Sequence, residues 1–435
     1  MKIANALLIA LTISTGVTHA MAEALTIATV NNGDMTRMQA LSDEFTTKNP
    51  DIELRWVTLD ESALRRQVTS DMATASGRYD VMTIGTYEVP IWGKQGWLLS
   101  LDDLPASYDA RDLLPAIRGG LTVDGRLYAA PFYGESSMVM YRTDLMEKAG
   151  LTMPEAPGWQ FIREAALAMT DRDAGINGVC LRGKAGWGEN IAFLTAASNS
   201  FGANWFDMDW NAQFDSPEWK ETLTFYISLL NDAGPPDAAQ NGFNENLALF
   251  QNGKCGMWID ATVAASFITN PSTSQVADKV GFALAPDNGL GKRSNWLWAW
   301  ALAIPASTKK AAAAKKFVEW ATSKQYQALV AEKEGWANVP PGTRISLYEN
   351  PEYARLPFAK MTLDSINGAD PQNPTVDKVP YVGVQFVAIP EFQKIATSVG
   401  QQFSAALAGT ISIEDALSNA QALTTREMRK AGYPK

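Results

Sequence analysis

Short apolar runs of strand length alternate along the chain with stretches of helical period. Residues 25–30 read as a buried strand, 36–48 as a helix with Met38, Leu41 and Phe45 on one face, and Ile52, Leu54 and Trp56 as the inward side of a second strand. A helix over 62–75 and a third apolar run over 79–84, closed by Gly85, continue the series. Strand, helix, strand, helix, strand in that order implies right-handed crossovers and a largely parallel sheet.

Near Asp124-Gly125 the pattern changes to two short β runs, 121–123 and 126–129, followed by Pro131, which marks a lobe boundary. Helices over 159–169, 190–198 and 217–232, with strands over 178–181 and 254–259, make a second α/β unit. Trp296, Trp298, Trp300, Leu302 and Ile304 recur at period two and line one side of a strand that Pro305 ends. By period alone that side faces a sheet core as readily as a pocket. One long helix is expected over 308–334, capped by Thr308, with Phe317, Trp320 and Ala321 buried. Two helices close the chain. One carries Phe392, Ile395, Val399 and Phe403 and stops at Gly409; the other opens with a Ser412, Asp415 capping box.

A chain of 435 residues that is 46% hydrophobic and 19% charged can bury a large core, and its length calls for two lobes. Asp plus Glu number 47 against 37 Lys plus Arg, a formal net charge of −10, so no basic surface is expected to meet nucleic acid or anionic lipid. Lys2, an apolar run over 6–17 and small residues at Ala20 and Ala22 make residues 1–22 a signal peptide, cut before Glu23. The single histidine, His19, lies in that leader. The exported chain therefore has no imidazole for a Ser-His-Asp triad, a Cys-His nucleophile or an H-E-x-x-H zinc site. No cysteine lies at the cleavage site to take a lipid, and no later run approaches the roughly 18 apolar residues of a membrane span. The expected location is the periplasm, unanchored. Cys180 and Cys255 form either a disulfide, worth roughly 4 kcal/mol by chain entropy, or two buried thiols.

The 14 tryptophans exceed what core packing needs, and several stand beside polar residues: Trp187 in 186–190, Trp258 before Ile259-Asp260, Trp336 before Ala337-Asn338. A polyhydroxylated ligand asks for that pairing, an aromatic face for its C–H surface and hydrogen-bonding tips for its hydroxyls. Candidate tips are Asn31 and Asn32 after the first strand, Glu88 after the third, Glu135, Arg182, Glu189, Asp260, Asn295 and Arg344. Each also has a plainer account: Glu189-Asn190 as a helix start, Glu135 and Asp260 as solvated strand ends. Asp207, Asp209, Asn211 and Glu218 have calcium-loop spacing, but Ala212 replaces the required glycine and Pro217 begins a helix, so no metal is expected. No cofactor motif occurs.

The stretches 181–190, 252–262, 296–305 and 335–344 carry a resemblance. Through them the chain resembles the family 1 extracytoplasmic solute-binding proteins of bacterial ABC transporters, and within these the sorbitol/mannitol group. The resemblance implies an α/β, two-lobe periplasmic-binding-protein fold of type II, maltose-binding-protein-like, with hinge-linked lobes. It implies lobes of 23–132 with 301–345 and of 133–300 with 346–435. It also implies a cleft built by Asn31, Glu88, Tyr133, Glu135, Arg182, Trp258, Asp260, Trp296 and Trp336, to which the pairing of aromatic and polar residues adds Trp187 and Glu189. The expected function is capture of a linear polyol or related monosaccharide by a monomer, without reaction or cofactor, and delivery to ABC permease subunits. Two rival readings are an exported carbohydrate-active enzyme using two of Glu88, Glu135, Glu189 and Asp260, and a sensor that reports occupancy to a chemoreceptor.

Overall fold

The computed structural model describes residues 22–433, and the expected signal peptide falls almost wholly outside them. Eleven strands are found among the described residues: β1 (Glu23–Val30), β2 (Ile52–Leu59), β3 (Val81–Gly85), β4 (Thr122–Val123), β5 (Arg126–Leu127), β6 (Ala129–Glu135), β7 (Ser137–Arg142), β8 (Asn177–Cys180), β9 (Cys255–Ala261), β10 (Val280–Leu284) and β11 (Trp298–Ala303). They build two principal sheets, ordered β2-β1-β3-β11-β6 and β10-β7-β9-β8, with β4 and β5 as a separate hairpin. That hairpin turns at Asp124 and Gly125, both at positive φ (49° and 78°), as the twist of flanking strands requires of a two-residue turn.

The expectation of a largely parallel sheet holds for the first three strands: β1 pairs with β2 and with β3 in parallel. The other two members make antiparallel pairs, β11, which returns after the second sheet, against β3, and β6 against β11. The second sheet is mixed, parallel only between β8 and β9. Pro131 sits inside β6, where the register with β11 shifts between Trp300 and Ala301, the irregularity a strand proline needs.

The chain passes from β6 of the first sheet to β7 of the second through one fully buried residue, Ser136. Strand β11 brings it back, and the segment beyond Arg344 leads to the helix Ala359–Asn367, which packs on β7 and β10. The expected borders at 132/133 and 300/301 thus fall inside β6 and β11, so the first sheet carries Tyr133, Glu135, Trp298 and Trp300 to its edge.

Local chemistry also divides two expected helices. The 36–48 stretch forms Gly33–Ala40, capped by Asn32 accepting from the Met35 amide at 3.0 Å, and Asp43–Lys48. The 308–334 stretch breaks into Ala311–Ala321 and Lys324–Glu334, because the Ser323 hydroxyl accepts from the Tyr326 amide at 3.0 Å and starts a new helix. The closing pair, Phe392–Leu407 and Ile413–Lys430, buries Phe392, Ile395, Val399 and Phe403 and opens its second member with Ser412 accepting from the Asp415 amide. Cys180 and Cys255 are joined in a disulfide from the end of β8 to the start of β9.

Candidate functional site

Loops at the ends of parallel strands converge on a cavity between the two sheets. Asn31 and Asn32 follow β1, and Asp60 and Glu61 follow β2 and open the helix Glu61–Thr74. From the other side come Arg182 and Lys184 beyond β8, the turn Trp187–Ile191, Phe243 to Glu245, and Ala261 at the end of β9. Tyr133 and Glu135 of β6, Trp298 and Trp300 of β11, and Trp296 just before β11 form its floor. The cavity has a volume of about 140 Å³. At roughly 10–15 Å³ per water-sized group, it holds on the order of ten such groups, the scale of one monosaccharide or alditol.

Two arginines organise the wall. Arg65 donates through Nη1 to Glu88 at 2.5 Å and through Nε and Nη2 to Glu61 Oε1 at 3.0 and 2.7 Å. Its guanidinium lies 4.1, 4.9 and 4.8 Å from the ring centres of Trp187, Trp298 and Trp300. Arg182 donates through Nε and Nη2 to Asp260, at 2.9 and 2.6 Å, and through Nη1 to the Gly188 carbonyl at 2.7 Å. It lies 5.6 Å from the Trp296 ring and 5.3 Å from Phe243. Asp260 also accepts from Trp258 Nε1 at 3.1 Å and from the Ala261 amide at 2.7 Å. Asn32 Nδ2 donates to the Tyr133 hydroxyl at 2.8 Å.

The remaining acids are less well served. Burial pushes the Glu189 carboxyl up to about 7, with Glu61 adding repulsion and Arg182 opposing it. Burial likewise holds Glu135 well above the usual carboxylate range, Arg182 pulling down and Asp260, Glu61 and Asp34 pushing up. Trp187 Nε1 is buried and finds no acceptor among the described residues. Flat rings, carboxyls that accept and an indole that donates together suit an uncharged ligand rich in hydroxyls.

Of the expected cleft residues, Asn31, Tyr133, Glu135, Arg182, Trp187, Glu189 and Trp296 line this cavity. The tryptophan stripe of β11 also faces it, while Ala299, Ala301 and Ala303 occupy the alternate positions. Four do not reach the wall. Glu88 is folded inward behind Arg65 and accepts from the Gly85 amide at 3.0 Å. Trp258 and Asp260 are 0% exposed and stand behind Arg182 as its support. Trp336 lies half-buried in the turn Trp336–Asn338, whose Asn338 is bonded to Arg37 of the helix Gly33–Ala40, outside the cavity lining. Asn295 belongs to a different cavity, beside Lys292, Arg293 and Ser365, and Arg344 is fully buried against Tyr108, bonded to the carbonyls of Asp109 and Thr322. The calcium-like spacing is a turn in which Asp207 accepts from the amides of Asp209 and Asn211.

The sequence reading passed over Asp60, Glu61, Arg65, Phe243, Glu245 and Gln385. Glu61 and Arg65 had a signal: an acid and a base four apart, opening a helix just after a parallel strand. Gln385 had none, because its amide reaches Leu297 from 88 residues away.

Comparison with known proteins places this geometry. The family model for bacterial extracellular solute-binding proteins matches residues 31–328. The mannitol-binding protein of Pseudomonas aeruginosa is 55% identical over 414 residues, 95% of either chain. An ABC transporter solute-binding protein of Agrobacterium vitis, solved with bound D-mannitol, superposes with a TM-score of 0.94 at 71% identity, covering 95% of this chain and all of that one. A maltose-bound protein of T. maritima, 22% identical with a TM-score of 0.77 over 93% of this chain and 99% of its own, shares the fold. A two-lobed α/β body that encloses a small aromatic and acid-lined cavity, with relatives that align over nearly its whole length, is a solute-binding protein, and the chain belongs to the bacterial extracellular solute-binding family.

Proposed function

We propose that the chain captures a linear hexitol, mannitol first among them, in the cavity between its sheets and releases it unaltered to the permease of an ABC importer. The observation that carries this reading is the make-up of the wall, Trp187, Trp296, Trp298 and Trp300 beside Glu135, Glu189, Arg182 and Asn31, in a chain 71% identical to a protein solved with bound D-mannitol. The carbon chain lies on the indole faces. Hydroxyls donate to Glu135 and Glu189 and accept from the free N–H of Arg182, from Asn31 and from Trp187 Nε1, which offsets their lost hydration.

Enclosure of the ligand requires the sheets to approach, and closure is favoured only by contacts unique to the closed state. The lobes move as 23–132 with 301–345 and 133–300 with 346–435, with hinges at their crossings. The protein acts in the periplasm as a monomer, released from residues 1–22 and carrying no lipid. A calorimetric titration against mannitol, sorbitol, arabitol, xylitol, glucose and maltose tests the reading. The hexitols are expected to bind best, the pentitols next and maltose not at all; preferred binding of maltose would sink it.

A further inference from the structure

Around the cavity the carboxylates outnumber the cations available to them. Asp60, Glu61, Glu135, Glu189 and Glu245 line it together with Arg65, Arg182 and Lys184. Each of those cations already has an acid of its own. Arg182 is held by Asp260 at 2.6 Å and Arg65 by Glu88 at 2.5 Å, neither acid being on the wall, while Lys184 meets Glu245 at 3.4 Å. Of the four acids that remain, Asp60 is exposed and Glu61 shares Arg65 through one oxygen. The Glu135 carboxyl, 6% exposed, makes no hydrogen bond or ion pair with any described residue. Glu189 Oε2 is buried without a hydrogen-bond partner, its nearest cation being Arg182 Nη1 at 3.9 Å.

A hydroxyl can donate to such a carboxyl but brings no charge to favour its ionised form, which burial already disfavours at Glu135 and Glu189 and which stays costly in a dried site unless paired. An ammonium group supplies charge and three donors together. We propose that the cavity also accepts a protonated amino-alditol, an open-chain polyol with a primary amine at one end, its amine lodged against Glu135, and that it rejects the corresponding alditol acids. The inference rests on the polyol reading above and refines the ligand class of the same site. Glu135 and Glu189 both feel Arg182 and Glu61, so a cation beside one stabilises the ionised form of the other as well.

Calorimetric titration of the purified protein at pH 7 with D-mannitol, 1-amino-1-deoxy-D-mannitol and D-mannonate tests this. The amine is expected to bind at least as tightly as mannitol, mannonate at least about tenfold more weakly, and Glu135→Gln to reduce the amine-to-mannitol affinity ratio about tenfold. The three-ligand ranking on the unmodified protein decides the matter even where the variant does not fold. Mannitol bound without the amine, or mannonate bound as well as mannitol, overturns this inference and leaves the polyol reading standing. An amine-to-mannitol ratio unmoved by Glu135→Gln removes the amine from Glu135 and overturns its placement. If none of the three binds, both readings fall.

Discussion

Arg182 meets the cavity with its guanidinium already engaged, two nitrogens on Asp260 and the third on the Gly188 carbonyl. Asp260 is 0% exposed, so it serves the ligand only through the arginine it holds. Asp260→Ala leaves a buried cation without its counter-charge, and the expected loss is about 3–5 kcal/mol of unfolding free energy in urea denaturation. A variant as stable as the parent would mean that water has taken the carboxylate's place. That Asp260 mattered was legible from an acid two positions after a tryptophan; which way it faced was not. Alternation puts Trp258 and Asp260 on one side of β9, where the indole N–H and the carboxylate bond each other, and leaves Ala261 to touch the cavity. Glu88 is a parallel case, claimed by Arg65 from a helix 23 residues earlier.

The irregular turn Trp187–Ile191 is the element that buries an acid. Its backbone departs from helix at Glu189 (φ −105°, ψ −112°), and regular helix resumes at Ala192. A helix start was readable from Glu189-Asn190, whereas the departure depends on Gly186 and Gly188 lying against side chains from the first sheet's helix, Ser62 and Glu61. Because burial raises Glu189 from 4.5 to about 7, the folded chain binds a proton there that the unfolded chain has released. Unfolded binds fewer protons than folded across that interval, so the contribution of Glu189 to stability falls as pH rises from about 4.5 to about 7. Acids held low by partners, such as Asp112 and Asp144, act below that window and in the opposite sense. Urea midpoints of the ligand-free protein between pH 5 and pH 7 are therefore expected to fall less steeply in Glu189→Gln than in the parent, and equal slopes would refute the assignment. The break at Ser323 shows the same limit of a sequence reading: apolar period runs straight through 308–334, and only the hydroxyl's bond to the Tyr326 amide divides it.

Across the whole molecule, two glycines mark where the halves meet. A Cβ on Gly33, at the start of the helix after β1, would lie 2.3 Å from Phe267 of the helix after β9. A Cβ on Gly188 would lie 1.7 Å from Glu61 Oε1. Gly33 carries no positive φ, so its replacement tests space and not backbone strain. Gly33→Leu is expected to weaken mannitol binding at least about tenfold by calorimetry, with unfolding free energy changed by no more than about 1 kcal/mol, if closure as proposed is what presses Gly33 on Phe267. Adding Phe267→Ala should restore affinity; if it does not, this contact does not limit closure. The two-lobed α/β plan was legible because strand and helix periods alternate cleanly through the first half. The insertion of β11 between β3 and β6 was not, because nothing local tells a strand which neighbours will receive it.

Glu135 is the last residue of β6, and Ser136 alone separates it from the other sheet. In any turning body, displacement grows with distance from the axis, so an anchor beside the pivot barely travels while the far rim sweeps. On the closure proposed above, a guest that first lodges at Glu135 would keep its seat as Asn244, Lys184 and Glu245 swing over it. Capture and coverage then become successive events, and a mutation at the rim should alter how long the guest stays more than how fast it arrives.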